Sequence, residues 1–287
     1  MTPAPSGSAQ PRRERPGRAR GRCAPAALAL ACALLVACAT SPLGRSQLIL
    51  FPDSEMAARG TAAYNDLQTH GKRSNDAAAT NFVLCVANAI IAALPPEQRA
   101  QRWEVTLFEE ESANAFALPG GKIGVHTGML RVARTQDQLA AVLAHEVGHV
   151  IARHANERMS TGAVAQMGTA VAVQTIAGSM SPAKAQMVGA LGGIGLEYGV
   201  LLPFSRTQEA EADLIGLELM ARAGFDPHAA VDLWRNMSAQ GGAQPPEFMS
   251  THPSNATRIA ELGRRVDSVM PIYEQARAAG RRPHCQR

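Results

Sequence analysis

The sequence carries almost no net charge beyond its first 37 residues. Residues 1–37 hold six arginines and one glutamate, a net charge of +5, whereas the whole chain has a formal charge of +4, so residues 38–287 carry −1. The basic balance therefore lies in the N-terminal segment alone. Nucleic-acid-binding domains display a basic patch, and we expect no nucleic-acid partner.

The sequence also lacks a long uninterrupted apolar run. Cys23–Ala37 is apolar but too short to span a bilayer comfortably, and it follows a basic flank, which is typical of a secretory signal peptide. Residues 162–180 are apolar but contain several polar residues, and Ser181-Pro182 ends the run. For residues 160–203 we predict a helical hairpin that either covers the active site or contacts a membrane or a partner.

The signal-like segment ends in Leu35-Val36-Ala37-Cys38, which resembles the bacterial lipobox. In that motif the cysteine thiol is acylated with diacylglycerol and becomes the first residue of the mature protein. Residue 39 is alanine, not the aspartate that signals retention at the inner membrane. The resemblance therefore implies a lipid anchor at the periplasmic face of the outer membrane of a Gram-negative bacterium. The alternative is ordinary cleavage near Cys38, which would give a soluble secreted protein.

Cysteines are few, and two of the five, Cys23 and Cys32, lie in the predicted signal peptide. If Cys38 is acylated, Cys85 and Cys285 remain as a single pair in an oxidising compartment. We predict a disulfide that ties the C-terminal tail to an early helix. The alternative is a buried thiol at Cys85 and a free thiol at Cys285.

The pattern His145-Glu146-x-x-His149 indicates a metal site. On an α-helix the two histidines lie one turn apart, about 40° around the axis from each other, and can bind one ion. Glu146 lies about 100° from His145, beside the ion, where it can take a proton from water. The pattern predicts zinc-dependent hydrolysis with Glu146 as the general base.

The surroundings of this pattern predict a buried helix. Thr135 and Gln138 form a capping-box pattern at its start, and the only polar side chains in Leu139–Ala152 are those of the metal pattern. Unpaired, these groups would cost several kcal/mol in a core, and a metal ion removes that cost. The alternative is a helix whose core histidines are hydrogen bonded to other protein groups.

The third ligand has to come from another element, since Ala155 stands where a second histidine pattern would need histidine. The candidates are later carboxylates: Glu197, Glu209, Glu211 and Asp213. On a helix over residues 208–223, Glu211 shares a stripe with Glu218 and Arg222, which predicts solvent exposure.

Glu209 and Asp213 fall on the opposite, apolar face of that helix. Two carboxylates there need a cation or a hydrogen-bond donor. We interpret Glu209 as the ligand and Asp213 as the group that orients a ligating imidazole. The alternative is a pair of partly exposed acids stabilised by the helix dipole.

Three motifs in order resemble the HtpX/BepA/LoiP family of gluzincin metallopeptidases over about residues 45–270. They are residues 144–154, residues 205–213 and Ser250-Thr251-His252-Pro253. The resemblance is closest to the LoiP-like branch of short periplasmic lipoproteins. It implies a zinc endopeptidase with one Zn²⁺ held by His145, His149 and Glu209, with Glu146 as base and Asp213 behind the ligands.

The resemblance also implies further residue roles. His252 would act as a gate at the metal or as an oxyanion partner, with Arg258 nearby. His154 lies about 140° from His149 on a continuous helix, so from helical geometry we interpret it as structural. Residues 114–127 match the family's substrate-binding edge strand. The substrate-contacting residues would be Asn114, Phe116, Ile123 and Val125.

The predicted fold is a mostly helical α+β domain with a small antiparallel sheet next to the His-Glu helix. The predicted boundaries are a signal peptide at 1–37, a lipidated tether at 38–52, the peptidase domain at 53–270 and a tail at 271–287. We expect cleavage of unfolded or misassembled envelope proteins, in outer-membrane quality control. The alternatives are a proteolytically idle, metal-bound lipoprotein that assists the outer-membrane assembly machinery, and amide hydrolysis on cell-wall peptide.

Overall fold

The computed structural model of the protein describes residues 38–177, 204–239, 247–252 and 256–287. The predicted signal peptide, most of the predicted hairpin at 160–203, and the candidate ligand Glu197 lie outside the described residues. Acylation of Cys38 stays a prediction. Within the described ranges, no helix combines the length and the apolar character that a membrane span requires.

Helices make up most of the described structure, and two small sheets accompany them, which confirms the predicted mostly helical α+β class. In chain order the elements are β1 (Cys38–Thr40), β2 (Ser46–Leu48), α1 (Asp53–His70), α2 (Ala77–Ala92), α3 (Pro96–Arg99), β3 (Glu104–Phe108), β4 (Ala115–Leu118), β5 (Lys122–His126), α4 (Met129–Val132), α5 (Gln136–Ile151), α6 (His154–Ala177), α7 (Arg206–Ala223), α8 (His228–Ala239), α9 (Glu247–Thr251) and α10 (Ala256–Ala278).

The three-stranded sheet is mixed, so the prediction of an antiparallel sheet is wrong. The strand order is β3-β5-β4. β4 and β5 form an antiparallel hairpin through Gly120 and Gly121, whose φ angles of 86° and 76° suit glycine. β3 pairs in parallel with the other side of β5, with Glu104 opposite Lys122. This order places β4, and not β5, at an edge of the sheet.

Helix α5 lies at the centre of the molecule. Every residue from Gln138 to His149 is buried, as expected for a helix that is apolar on all sides. The Thr135 hydroxyl accepts the main-chain N–H of Gln138 and caps the helix start. The Gln138 side chain accepts the N–H of Arg134 instead of the N–H of Thr135, so the capping box is only half formed.

Helices α5 and α7 cross at two glycines. A Cβ on Gly148 would lie 2.9 Å from the carbonyl oxygen of Ala212, and a Cβ on Gly216 would lie 3.0 Å from the main-chain nitrogen of His145. Side chains at these positions would hold the helices apart. Their absence brings the N-terminal half of α7 against the turn of α5 that carries the metal pattern.

The two ends of the described chain contact the domain. Residues 38–52, predicted to be a tether, contain the hairpin β1–β2, whose second strand is Ser46–Leu48. Helix α10 continues through the predicted boundary at residue 270 as far as Ala278. Beyond it, Cys285 is joined to Cys85 of α2 by a disulfide, which is the predicted pair.

Candidate metal centre

His145 and His149 bring their imidazole nitrogens together on one side of α5. Both side chains are buried, and their Nε2 atoms lie 3.1 Å apart. The helix places them one turn apart, as the spacing predicts. Two nitrogens at this distance require a shared proton or a shared cation between them.

Glu209 reaches the same point from the first turn of α7. Its Oε2 lies 3.5 Å from Nε2 of His145, and its Oε1 lies 3.4 Å from Nε2 of His149. A complete capping box between Ser205 and Gln208 fixes the start of this helix. The structure therefore brings the sequence-predicted carboxylate to both imidazoles.

The donor set fits a divalent ion. Ligands around a tetrahedral zinc ion, bonded at about 2.0–2.1 Å, are separated from one another by about 3.3 Å. The observed separations among His145, His149 and Glu209 run from 3.1 to 3.5 Å. Together with His252, these residues offer four buried ligand atoms within 4.8 Å of one another. Nitrogen and carboxylate oxygen are also the ligand types of zinc sites.

The charges of the cluster favour a cation. Burial would raise the pKa of Glu209, but hydrogen bonds from His145, His149 and His252 hold it well below its usual value. Burial lowers the pKa of His149 well below its usual value. Burial opposes protonation of His145 as well, yet Asp213 and Glu209 raise the pKa of His145 to about 9. An ionised carboxylate in a buried site thus attracts positive charge, which a metal ion supplies.

Glu146 lies beside this cluster and not in it. Its side chain is buried, and Oε1 has no hydrogen-bond partner among the described residues. Burial raises the pKa of the Glu146 carboxyl, while the neighbouring imidazoles of His252 and His145 oppose that shift. A buried carboxylate with a raised pKa next to a metal site is suited to proton transfer.

His252 is the fourth member of the cluster, next to His145, His149 and Glu209. Its Nδ1 lies 2.9 Å from Oε1 of Glu209 and 3.2 Å from Nε2 of His145, and its Nε2 lies 3.4 Å from Oε1 of Glu146. The ring stacks on Phe248 at 4.4 Å between centroids. In this arrangement an imidazole stands between the predicted base and the predicted ligands.

Asp213 and Arg258 contact the cluster on the side opposite the ligand atoms of His145. Oδ1 of Asp213 lies 3.0 Å from Nδ1 of His145, the ring atom that faces away from the metal ligands. Arg258 binds both oxygens of Asp213 at 2.7 and 2.8 Å and reaches Oε2 of Glu209 at 2.6 Å. The indole of Trp234 lies 4.1 Å from the guanidinium carbon. Charge pairing and stacking therefore fix this arginine, which the family resemblance placed only nearby.

The predicted substrate-binding residues divide into two groups. Asn114 precedes the edge strand β4 and Phe116 lies on it, where the Phe116 ring covers Gly124. Ile123 and Val125 lie on the central strand β5 with side chains in the core, so a peptide at the sheet edge does not reach them. Their assignment as substrate-contacting residues is wrong, because β3 pairs with β5 and leaves β4 at the edge.

A groove of about 1060 Å³ connects the edge strand to the metal cluster. Its walls come from α1, the β4–β5 turn and the end of α5. Among described residues, β4 pairs only with β5, so its other edge has no strand partner. The lining includes Asp53, Ala57, Ala117, Gly120, His149 and Phe204.

Sequence reasoning placed His154 and Glu211 wrongly relative to the metal ligands. The 140° separation of His154 from His149 assumed one continuous helix, but Arg153 adopts φ 56° and separates α5 from α6. His154 is fully buried, and its Nδ1 lies 2.8 Å from Nδ1 of His149. Glu211, predicted to face solvent, is 5% exposed and contacts His154. Nothing in the sequence indicated that Arg153 adopts a positive φ angle, so the direction of the His154 side chain could not be predicted.

Comparison with known proteins places this geometry in a family. The sequence model of a protein family, described as Peptidase family M48, matches residues 79–266. Mitochondrial metalloendopeptidase OMA1 of Schizosaccharomyces pombe is 42% identical over 164 residues, which are 56% of this chain and 46% of that protein. OMA1 of Saccharomyces cerevisiae is 33% identical over 183 residues, which are 61% of this chain and 50% of that protein.

A bacterial relative has a different name. The beta-barrel assembly-enhancing protease of Escherichia coli K12 is 31% identical over 173 residues, which are 59% of this chain and 36% of that protein. The chain thus aligns with half or less of the length of these curated relatives. The family match covers more than half of the sequence and contains the whole cluster of His145, His149, Glu209 and His252, so the chain belongs to peptidase family M48.

Proposed function

We propose that this protein is a zinc-dependent endopeptidase of the bacterial envelope. The convergence of His145, His149 and Glu209 beside the buried carboxylate of Glu146 is the observation that carries the proposal. These three residues would hold the ion, as in other sites with two histidines and one glutamate. The bound ion would supply a Lewis acid that lowers the pKa of an attacking water and polarises the scissile carbonyl.

The protein side chains transfer the proton and orient the metal ligands. Glu146 accepts a proton from the attacking water and delivers it to the leaving amine nitrogen as the peptide C–N bond breaks. Asp213 orients the His145 ring through Nδ1, and Arg258 holds Asp213.

The substrate is an extended peptide segment. The open edge of β4 can pair with a strand, and main-chain hydrogen bonds of this kind bind a peptide with little regard to its sequence. Such a segment is available in unfolded or misassembled proteins and not in compact folded ones. The proposed substrates are therefore misfolded or misassembled envelope proteins, and the proposed role is quality control.

The proposed location rests on the N-terminal sequence. Acylation of Cys38 would anchor the protein in the outer membrane at its periplasmic face, with misassembled outer-membrane proteins and their assembly machinery within reach. The name of the Escherichia coli relative, a beta-barrel assembly-enhancing protease, supports this setting. The mitochondrial relatives support the peptidase chemistry, but they do not support a location in the bacterial envelope.

Metal removal tests the proposed activity. We expect the purified protein to cleave unfolded casein, to lose that activity on dialysis against a chelator, and to regain it when one equivalent of Zn²⁺ is added. The measurement is release of peptides together with metal content. Chelator-resistant cleavage would contradict the proposal, and so would a fully zinc-loaded protein that cleaves no peptide.

The position of His252 predicts that it restrains the enzyme. Water has to stand where the His252 ring now lies, so the ring has to withdraw before hydrolysis. Its hydrogen bond to the charged Glu209 is worth about 1.5–3 kcal/mol, which corresponds to about tenfold or more in the open population. We therefore expect His252→Ala to raise casein cleavage about tenfold. Thr251→Ala, a change at an exposed neighbour, is the control. A fall in activity would instead assign His252 as an oxyanion partner.

The same contact supports a second candidate function. A metal-bound protein that stays closed by His252 would act in outer-membrane assembly without cleaving peptides. Zinc-loaded wild-type protein and His252→Ala, both inactive on casein and on misassembled envelope proteins, would favour that candidate. Activity on cell-wall peptide in the same assay would favour amide hydrolysis.

A further inference from the structure

A second buried polar cluster lies behind His149, on the side away from the metal ligands. Nδ1 of His149 lies 2.8 Å from Nδ1 of His154, and Nε2 of His154 lies 3.1 Å from Oε2 of Glu211. The same carboxylate oxygen accepts Nε of Arg45 at 3.0 Å. His154 is fully buried, and Glu211 is nearly so. These contacts form a chain from a metal ligand to the N-terminal hairpin.

Metal binding fixes the direction of every hydrogen bond in this chain. Nε2 of His149 has to present a lone pair to an ion, so the ring proton is on Nδ1 and is donated to Nδ1 of His154. Nδ1 of His154 then carries a lone pair, and its proton on Nε2 is donated to Glu211. Arginine only donates, so Arg45 also donates to Glu211. Both imidazoles are neutral, and the carboxylate ends the chain.

The N-terminal hairpin holds the far end of the chain. Arg45 lies between β1 and β2, binds Glu211, and binds both carboxylate oxygens of Glu157 on α6. Two residues on, the Gln47 side chain donates to the carbonyl oxygen of Ala152 at 2.7 Å, at the end of α5. The hairpin is therefore bound to both helices that meet at Arg153. The hairpin thus packs beside Arg153, whose backbone conformation sets the orientation of His154.

The two histidine ligands thus have different outer partners. His145 faces a carboxylate directly, since Asp213 lies 3.0 Å from its Nδ1. His149 reaches its carboxylate through the ring of His154. An outer hydrogen bond fixes the tautomer and the ring orientation of a metal-bound histidine, and its loss typically costs about 10–100-fold in metal affinity.

We propose that His154, Glu211 and Arg45 are positioning residues for the metal ligand His149, through which the N-terminal hairpin sets the metal affinity. The inference rests on the proposed metal site. It assigns a task to the segment directly after Cys38, because the hairpin supplies Arg45. It also explains why Glu211 is buried on a helix face that otherwise turns Glu218 and Arg222 to solvent.

A pair of matched glutamates on α7 tests the inference. Glu211→Gln removes the charge that ends the chain, and Glu218→Gln makes the same change two turns away at an exposed ion pair. We expect Glu211→Gln to bind Zn²⁺ about tenfold or more weakly in competition with a chromophoric chelator, and Glu218→Gln to match wild type. The visible spectrum of the Co²⁺-loaded protein, which reports ligand geometry, should change only in Glu211→Gln.

A double-mutant cycle tests whether the effect runs through His154. We expect His154→Leu to weaken Zn²⁺ binding at least as much as Glu211→Gln, and the double variant to be no weaker than His154→Leu alone. Additive losses would overturn the inference. Circular dichroism of the metal-free proteins separates a fold defect from a loss of affinity. If Glu211→Gln does not fold, Arg45→Lys keeps the charge but loses the Nε contact, and it should weaken metal binding several-fold.

The outcomes separate this inference from the proposed function. Unchanged Zn²⁺ affinity and Co²⁺ spectra in folded Glu211→Gln would overturn the inference and leave the peptidase proposal standing. A wild-type protein that binds no divalent metal would overturn both.

Discussion

Replacing Glu146 with glutamine is expected to lower peptide cleavage by about 10²–10⁴-fold, the usual contribution of a general base. The amide keeps the size of the side chain, but it cannot take up a proton from water. Glu146 is not among the ligand atoms of the cluster. Metal content should therefore stay at the wild-type level, so that the loss lies in the chemical step.

Steady-state cleavage of casein and metal analysis of the same sample measure this effect. Glu55→Gln removes an exposed carboxylate on α1 that pairs with Arg59, and it should leave activity unchanged. The assignment of Glu146 fails if its variant keeps more than a small fraction of the wild-type rate. It also fails if the variant loses its metal, because Glu146 would then have to be a ligand.

Removal of the third ligand should have the second large effect. We expect Glu209→Ala to bind Zn²⁺ about 10²–10³-fold more weakly, on the basis of structural zinc sites worth about 10–16 kcal/mol over four ligands. The change also removes the negative charge that His145, His149, His252 and Arg258 share. Cleavage should fall with metal occupancy.

Thermal unfolding with and without Zn²⁺ gives an independent measurement. Ligand binding to the folded state raises the free energy of unfolding by an amount that depends on the ratio of free metal to the dissociation constant. The wild-type melting temperature should rise with Zn²⁺, whereas that of Glu209→Ala should respond only at far higher metal concentrations. Glu218→Ala on the same helix is the control. Full zinc occupancy in Glu209→Ala would remove this residue from the site.

Local sequence patterns predicted helix α5 and which acids of α7 lie on its apolar face. The capping pattern at Thr135 and the apolar run through Ala152 predict the bounds of α5 closely. Helical periodicity also separated Glu209 and Asp213 from the solvent stripe of α7. These predictions concern residues within a few turns of one another, where backbone geometry alone fixes which side chains share a face.

The incorrect predictions concern contacts between distant segments. The parallel pairing of β3 with β5 decided that Ile123 and Val125 are buried. Glu211 was assigned to solvent because a helix wheel contains no information about a hairpin that covers one turn of the helix. Its partner Arg45 is 166 residues away in sequence. Pairings at such separations depend on packing, which no local periodicity encodes.

The sequence by itself determined that helix α5 is buried, because it is apolar on all sides. The polar groups of the metal pattern are stable in such a helix only when they are hydrogen bonded or bound to a metal ion. The sequence predicted the two imidazoles, the proton acceptor Glu146 and the carboxylate of Glu209 as members of the site. Only the tertiary structure decided that Glu209 meets both imidazoles, that His252 is the fourth member of the cluster, and that His149 is held through His154. The reason is the close crossing of α5 and α7 at Gly148 and Gly216, where missing side chains let distant polar groups come within hydrogen-bonding distance.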